Sequence, residues 1–216
     1  MAKARNLSKD ELSKLLNALR GHYVAPIKVI IFFGIMTGYR IAEILSLRIP
    51  DVIASDNEIK SYVTVKAKFM KRKKEARTVL MPPLLREVLK DYVFNYLGGR
   101  FAPRRNAYLF QSGIGNSNPL SYNRVWRVLK SAVDRSGINP RGVTSHFMRK
   151  TWVRGFLDET DPKNKYDTLQ AAGQWKNRDS MMHYIPKNEE TARIEETQLK
   201  LGELHQGTAK EFFNIK

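Results

Sequence analysis

Thr37-Gly38-Tyr39-Arg40-Ile41-Ala42-Glu43-Ile44-Leu45-Ser46-Leu47 holds two helix signals on either side of one glycine. Ahead of it, Ile27 to Met36 is almost wholly apolar and predicts a buried helix. Behind it, Ile41, Ile44 and Leu45 recur at helical spacing. Gly38 permits a tight junction between the two, because glycine enters the left-handed region without steric penalty. The junction puts Arg40 in the first turn of a new helix. A planar guanidinium beside a helix N-terminus suits phosphate. Glu43 stands three residues on, on the same helix face, and is placed to hold that guanidinium. Taken alone, the pair reads equally well as a surface bridge of little consequence.

Upstream, Ser8 and Glu11 make a capping box before Leu12, Leu15, Leu16 and Leu19. Downstream, Tyr62, Val63 and Val65 predict one strand, and Thr78, Val79 and Leu80 a second. The charged tip Phe69-Met70-Lys71-Arg72-Lys73-Lys74-Glu75 between them makes an antiparallel hairpin with a basic loop. Pro82 opens a helical stretch to about Leu97, and Tyr108 to Phe110 is a short extended piece. Ser121 caps a helix through Val133, and Gly137 to Gly142 breaks the chain. Thr144 starts a helix containing Trp152, Phe156 and Leu157. Leu169–Ala172 and Ser180–Tyr184 are short helical pieces, and Glu189 to Leu204 is a polar amphipathic tail. The expected fold is mainly α with a small antiparallel β-sheet (α+β). One domain spans residues 1–186, and a helical tail spans 187–216.

Lys and Arg number 38 against 21 Asp and Glu over 216 residues, a formal charge of +17. Self-repulsion of that size is relieved by a polyanion, either nucleic acid or an anionic membrane surface. No apolar run approaches the roughly 20 residues that cross a bilayer, and MAKARNLSKDE has no secretory apolar core. The chain has no cysteine, which removes disulfides, thiolate metal sites and a cysteine nucleophile. These features predict a soluble intracellular protein on nucleic acid, with no membrane partner. A basic protein that merely coats RNA or DNA satisfies them as well.

Three further segments carry chemistry-bearing residues. Ser145-His146-Phe147-Met148-Arg149-Lys150 sets His146 and Arg149 three apart on a predicted helix, pointing to one side. Ala172-Gly173-Gln174-Trp175 precedes Tyr184, which lies nine residues beyond Trp175. The hairpin tip supplies a lysine cluster. Each alone has an ordinary explanation: a chance His-x-x-Arg, a core tryptophan, a half-buried tyrosine, a solvated basic loop.

In this order and spacing, the four segments resemble the tyrosine recombinases of the phage-integrase type. That family carries a T-G-x-R-x-x-E-[IL]-x-x-L box, a hairpin lysine, an H-x-x-R box, a G-[HW] element and a tyrosine nine residues later. The resemblance spans about residues 30 to 190. It implies that Arg40 and Arg149 clamp the scissile phosphate while His146 and Trp175 hydrogen-bond it. Tyr184 would attack the phosphorus, and a hairpin lysine would protonate the departing 5′-oxygen. Counting six back from Arg77 gives Lys71, with Lys66, Lys68, Lys73 and Lys74 as rivals. Lys66, Lys68, Arg72, Lys73, Lys74 and Arg77 are expected on the DNA backbone. Lys150 stands where the family often has a third basic residue. Gln174 contests the role of Trp175, and Tyr166 is the second nucleophile candidate.

By the same resemblance no cofactor or metal is needed. The partner is double-stranded DNA, bound by a dimer on each site and a tetramer in the synapse, with the tail docking on a neighbouring protomer. Family members usually carry a DNA-clamping domain before the first box. The chain is therefore expected to be a catalytic fragment or, as Met1 favours, a short recombinase similar to the fimbrial-switch inverting enzymes. Two competing readings stand beside this one. Pro50-Asp51 with Glu58-Ile59-Lys60 has the P-D…E-x-K pattern of Mg-dependent nucleases. The other is a DNA-binding protein that keeps the fold without the chemistry.

Overall fold

The computed structural model describes residues 4–54, 57–70, 75–98, 106–113, 118–160, 164–175, 177 and 180–181. Eight α-helices, one two-stranded sheet, a short 3₁₀ turn and a π-helical segment make up the regular structure among them. The helices are α1 (Lys9–Asn17), α2 (Val24–Thr37), α3 (Ile41–Leu45), α4 (Ile49–Val52), α5 (Pro83–Lys90), α6 (Tyr122–Ser136), α7 (Phe147–Glu159) and α8 (Lys165–Gly173). The strands are β1 (Tyr62–Val65) and β2 (Arg77–Leu80). The expected mainly helical fold with a small antiparallel sheet is the observed one.

The capping box opens α1 as its residues predict. Ser8 Oγ accepts the Glu11 N–H at 3.2 Å, and the Glu11 carboxylate accepts the Ser8 N–H at 3.1 Å. Leu12, Leu15 and Leu16 face the core. Helix α2 is buried nearly all round and forms the centre of the domain. It lies close against α7: a Cβ at Gly34 would sit 2.7 Å from the Met148 sulfur and 3.0 Å from the Met148 Cβ.

Strands β1 and β2 pair from Tyr62↔Leu80 to Val65↔Arg77. Alternation turns Val63, Val65 and Arg77 inward. Tyr62, Thr64, Thr78 and Leu80 stay exposed, with the two threonine hydroxyls 2.9 Å apart. A short 3₁₀ turn, Ala67–Phe69, leaves β1.

Two boundaries differ from the sequence expectation. The helix opened by Pro82 runs regularly to Lys90 and then widens into a π-helical turn, Asp91–Leu97. There Tyr92 and Tyr96 stack with ring centroids 5.3 Å apart. The second box begins its helix at Phe147 rather than Thr144. Thr144 instead folds a turn, its carbonyl accepting the Phe147 N–H at 2.9 Å and its hydroxyl the His146 N–H at 3.3 Å.

The N-terminal segment is stitched to the loop that leads into α7. Arg5 donates from Nε to the Arg141 carbonyl and from Nη2 to the Asn139 carbonyl, and its backbone N–H reaches the Gly142 carbonyl. The Leu7 N–H then bonds Thr151 Oγ1 on α7 itself, at 3.2 Å. A second, smaller apolar cluster of Trp152, Val153, Leu169, Trp175 and Met181 joins α7 to α8. Among the described residues no helix is long and apolar enough to cross a membrane. The predicted tail helix, Glu189 to Leu204, lies outside the described residues.

Candidate active site

Helix α2 ends on Gly38 in the left-handed conformation, φ +66°. Conformation and space both demand glycine there, because a Cβ would lie 2.5 Å from the Trp152 ring. The turn it makes exposes the Gly38 carbonyl to Arg149, whose Nη1 donates to it at 2.6 Å. Arg149 is 3% exposed, and its guanidinium lies 4.5 Å from the Trp175 ring centroid and 5.9 Å from that of Trp152.

Two residues past Gly38, Arg40 takes the N-cap position of α3. One Glu43 oxygen accepts the Arg40 backbone N–H at 2.9 Å; the other accepts its Nη1 at 2.8 Å. Glu43 is 1% exposed, whereas the Arg40 side chain keeps 31% of its surface in solvent. A buried carboxylate holding a half-exposed guanidinium is not a solvated surface bridge. It fixes one edge of Arg40 and leaves the group within reach of an anion.

Trp175 is set by backbone and ring together. Its N–H donates to the Gln170 carbonyl and its own carbonyl accepts the Gln170 side-chain amide, both at 3.2 Å. The ring lies against Gly173, where a Cβ would come within 1.8 Å of it. Gln174, left-handed at φ +49°, turns the other way and donates to the Thr78 carbonyl of β2 at 3.1 Å. The Trp175 ring is the one that lies 4.5 Å from the Arg149 guanidinium.

His146 is exposed at the N-cap of α7, whereas Arg149 is buried one turn on. Lys150 is half-buried. Tyr166 packs against the Trp152 cluster, with the Lys165 ammonium 4.9 Å from its ring. Lys66 and Lys68 are exposed beside the hairpin turn, the Lys68 ammonium resting 5.0 Å from the Phe69 ring. Lys71, Arg72, Lys73, Lys74 and Tyr184 lie outside the described residues.

Arg77 corrects an expectation. A place on the DNA backbone was expected from its charge and its position at the hairpin, yet it is 1% exposed. It opposes Val65 on the inner face of the hairpin. Its guanidinium donates to the carbonyls of Thr37 at 2.9 Å, Ala172 at 3.3 Å and Gly38 at 3.4 Å. Tyr39, which the motif reading passed over, packs its ring 4.7 Å from that guanidinium. The Tyr39 hydroxyl lies 2.5 Å from the Arg77 carbonyl and 3.2 Å from that of Val63. Burial pushes this hydroxyl up to about 12, so it remains a proton donor. The signal for both residues was in the strand alternation: an inward arginine needs acceptors and an aromatic neighbour.

The residues of the nuclease pattern have separate local roles. Asp51 accepts the Arg48 N–H at 2.8 Å at the start of α4, and Glu58 pairs with Lys90 at 3.2 Å. Lys60 donates to the Pro50 carbonyl at 2.7 Å. Among the described residues no group of three or more His, Cys, Asp or Glu could hold a metal.

The same chain matches the Phage integrase family model over residues 5–191. Tyrosine recombinase XerA of Pyrococcus furiosus is 31% identical over 157 residues, covering 71% of this chain and 48% of that protein. The probable integrase/recombinase YoeC of Bacillus subtilis is 28% identical over 191 residues, covering 88% of this chain and 91% of that protein. The crystal structure of XerH recombinase bound to a difH substrate superposes with TM-score 0.62 at 18% identity. It covers 89% of this chain and 53% of that one, so the chain spans about half the length of the XerA and XerH relatives. With an arginine turn, a buried glutamate behind it and a second arginine stacked on tryptophan inside that matched span, the chain belongs to the phage integrase family.

Proposed function

We propose that this chain cleaves and rejoins double-stranded DNA as a tyrosine site-specific recombinase, with Tyr184 as the nucleophile. One observation supports it above the others. The turn at Gly38 seats Arg149 on its carbonyl and presents Arg40, two residues along, braced by buried Glu43. Two guanidinium groups fixed at one turn are suited to the non-bridging oxygens of a phosphodiester as phosphorus passes through a five-coordinate transition state.

The Tyr184 oxygen bonds to phosphorus as the bond to the 5′-oxygen breaks. The phenolic proton leaves with help from His146, and a hairpin lysine, Lys71 first among the candidates, protonates the 5′-oxygen. The 3′-phosphotyrosine conserves the phosphodiester, and the reverse attack by a 5′-hydroxyl releases the enzyme. On this reading Arg40 and Arg149 hold the non-bridging oxygens, and Trp175 steadies Arg149 and lends its indole N–H. Lys150, with Lys66, Lys68, Arg72, Lys73 and Lys74, meets neighbouring phosphates. Protomers act as dimers on a site and as a tetramer in the synapse, with residues 187–216 docking on the neighbour. The work is done on nucleoid DNA in the cytoplasm.

The test is covalent. Wild type and Tyr184→Phe are incubated in EDTA with pooled DNA of the source replicon and run on denaturing SDS gels. A DNA-linked band that disappears in Tyr184→Phe is the expected result. A band that survives the substitution assigns another nucleophile. Salt-sensitive binding with no band makes the chain a DNA-binding module.

A further inference from the structure

We infer that Tyr39 and Arg77 form a latch fixing the β1–β2 hairpin to the Thr37–Gly38 turn, and that both are positioning residues for the hairpin lysine. The inference rests on the strand-cleavage reading above. An isolated two-stranded sheet is marginal in water. Here its outer face, with Tyr62, Thr64, Thr78 and Leu80, is solvated, so the inner face must hold it to the domain. Val63 and Val65 bury apolar surface, but such contacts are non-directional.

Arg77 lies on the same inner face, opposite Val65 and on the same strand as partly buried Val79, and is as buried as the two β1 valines. An aliphatic side chain would fill that position without the desolvation penalty of a guanidinium. What the guanidinium adds is direction. It donates to Thr37 and Gly38 in the arginine turn and to Ala172 near the end of α8, just ahead of Trp175. Tyr39 reaches the opposite way, from the turn to the carbonyls of Arg77 and Val63 on the two strands. Each side chain thus bonds the backbone of the segment that carries the other. Turn and hairpin are tied in both directions, so a proton donor on the hairpin keeps its distance from the arginine clamp. Small displacements of a reacting group cost large factors in rate, which makes this tie consequential.

The experiment separates proton delivery from everything else. Tyr39→Phe removes one hydroxyl, and Arg77→Met removes the donors while keeping bulk. Cleavage is followed on a suicide duplex carrying the site mapped by the adduct assay, and on the same duplex with sulfur replacing the 5′-bridging oxygen. A thiolate leaves without protonation, so that substrate does not need the hairpin lysine. Adduct formation on the ordinary duplex should fall about tenfold or more in each variant, and on the sulfur duplex by no more than about threefold. Equal losses on both duplexes, or no loss on the ordinary one, would overturn the positioning role.

Hydrogen exchange reads the latch without activity. In Tyr39→Phe the amides of β1 and β2 should exchange about tenfold faster, while those of α2 and α7 keep their protection. Unchanged hairpin exchange overturns the latch. If wild type forms no adduct on either duplex, the cleavage reading fails and the positioning role with it. The exchange result still decides whether the latch exists.

Discussion

Tyr39 buries its hydroxyl against two strand carbonyls, and this has a consequence for alkaline stability. Its folded value stands at about 12 against 10.0 for the free group, because burial penalises the phenolate. Below pH 10 both folded and unfolded chains keep the proton, and the stabilisation is complete. Between about pH 10 and 12 the unfolded chain loses the proton first, so stability falls as pH rises. Chemical denaturation of wild type across that window should show the loss, and Tyr39→Phe should reduce it. A residual slope is expected from Tyr92, which burial also raises well above its ordinary value. At Gly38, alanine meets both a left-handed backbone and the Trp152 ring. The expected cost is about 2–4 kcal/mol, seen as a lowered denaturant midpoint at unchanged slope. Glu43→Gln keeps the shape but weakens the hold on Arg40. Because Arg40 is part-exposed and can take up water, the stability loss should be only about 1–2 kcal/mol. A cleavage rate reduced by more than that predicts would show that Glu43 orients Arg40 for the phosphate.

Helices α2 and α7 meet where Gly34 faces Met148, the residue before Arg149. Alanine at Gly34 gains helix propensity, about 1 kcal/mol, but its methyl would collide with the Met148 sulfur and Cβ. The sulfur can swing aside and the Cβ cannot, so the net effect should be a loss of about 1–2 kcal/mol. Adding Met148→Ala should recover part of that loss relative to Met148→Ala alone, which a double-mutant cycle by urea denaturation would measure. Elements of this kind were legible to differing degrees. The capping box, the apolar run of α2 and the alternating strands announce themselves through local periodicity. The π-helical turn does not, since Asp91–Leu97 keeps an ordinary helical pattern and widens around stacked Tyr92 and Tyr96. The start of α7 was misplaced for a related reason. Thr144 is a good capping residue, and only the turn it makes with His146 and Phe147 shows that it stays outside the helix.

The whole molecule carries a formal charge of +17, and Arg77 is buried within it. On the proposed function, the other basic side chains supply the phosphate contacts. DNA affinity should therefore fall linearly in a log–log plot against salt, with slope about −0.9 per phosphate neutralised. Substituting Lys68 or Lys150 should flatten that slope by about one contact. Arg77→Met should leave the slope unchanged, because its guanidinium is held on the backbone carbonyls of Thr37, Gly38 and Ala172. Deleting residues 187–216 should abolish cooperative assembly on DNA while leaving the domain folded. Sedimentation on paired sites would read the assembly, and assembly that survived would remove the tail from the interface. The order of boxes along the chain was enough to identify the family and to nominate Arg40, Glu43, Arg149 and Trp175. It was not enough to separate Arg77 from its basic neighbours. That distinction depends on strand register, and a shift of one residue turns the same side chain from solvent to core.

The atom to which Arg149 is anchored, and which Arg77 also reaches, is the carbonyl oxygen of Gly38. A backbone oxygen is encoded by no codon. Genetic change cannot delete it and can only tilt it, by forcing φ at position 38 out of the left-handed region. In a scan of every substitution, position 38 should rank among the least tolerant sites for activity, although its residue has no side chain to lose.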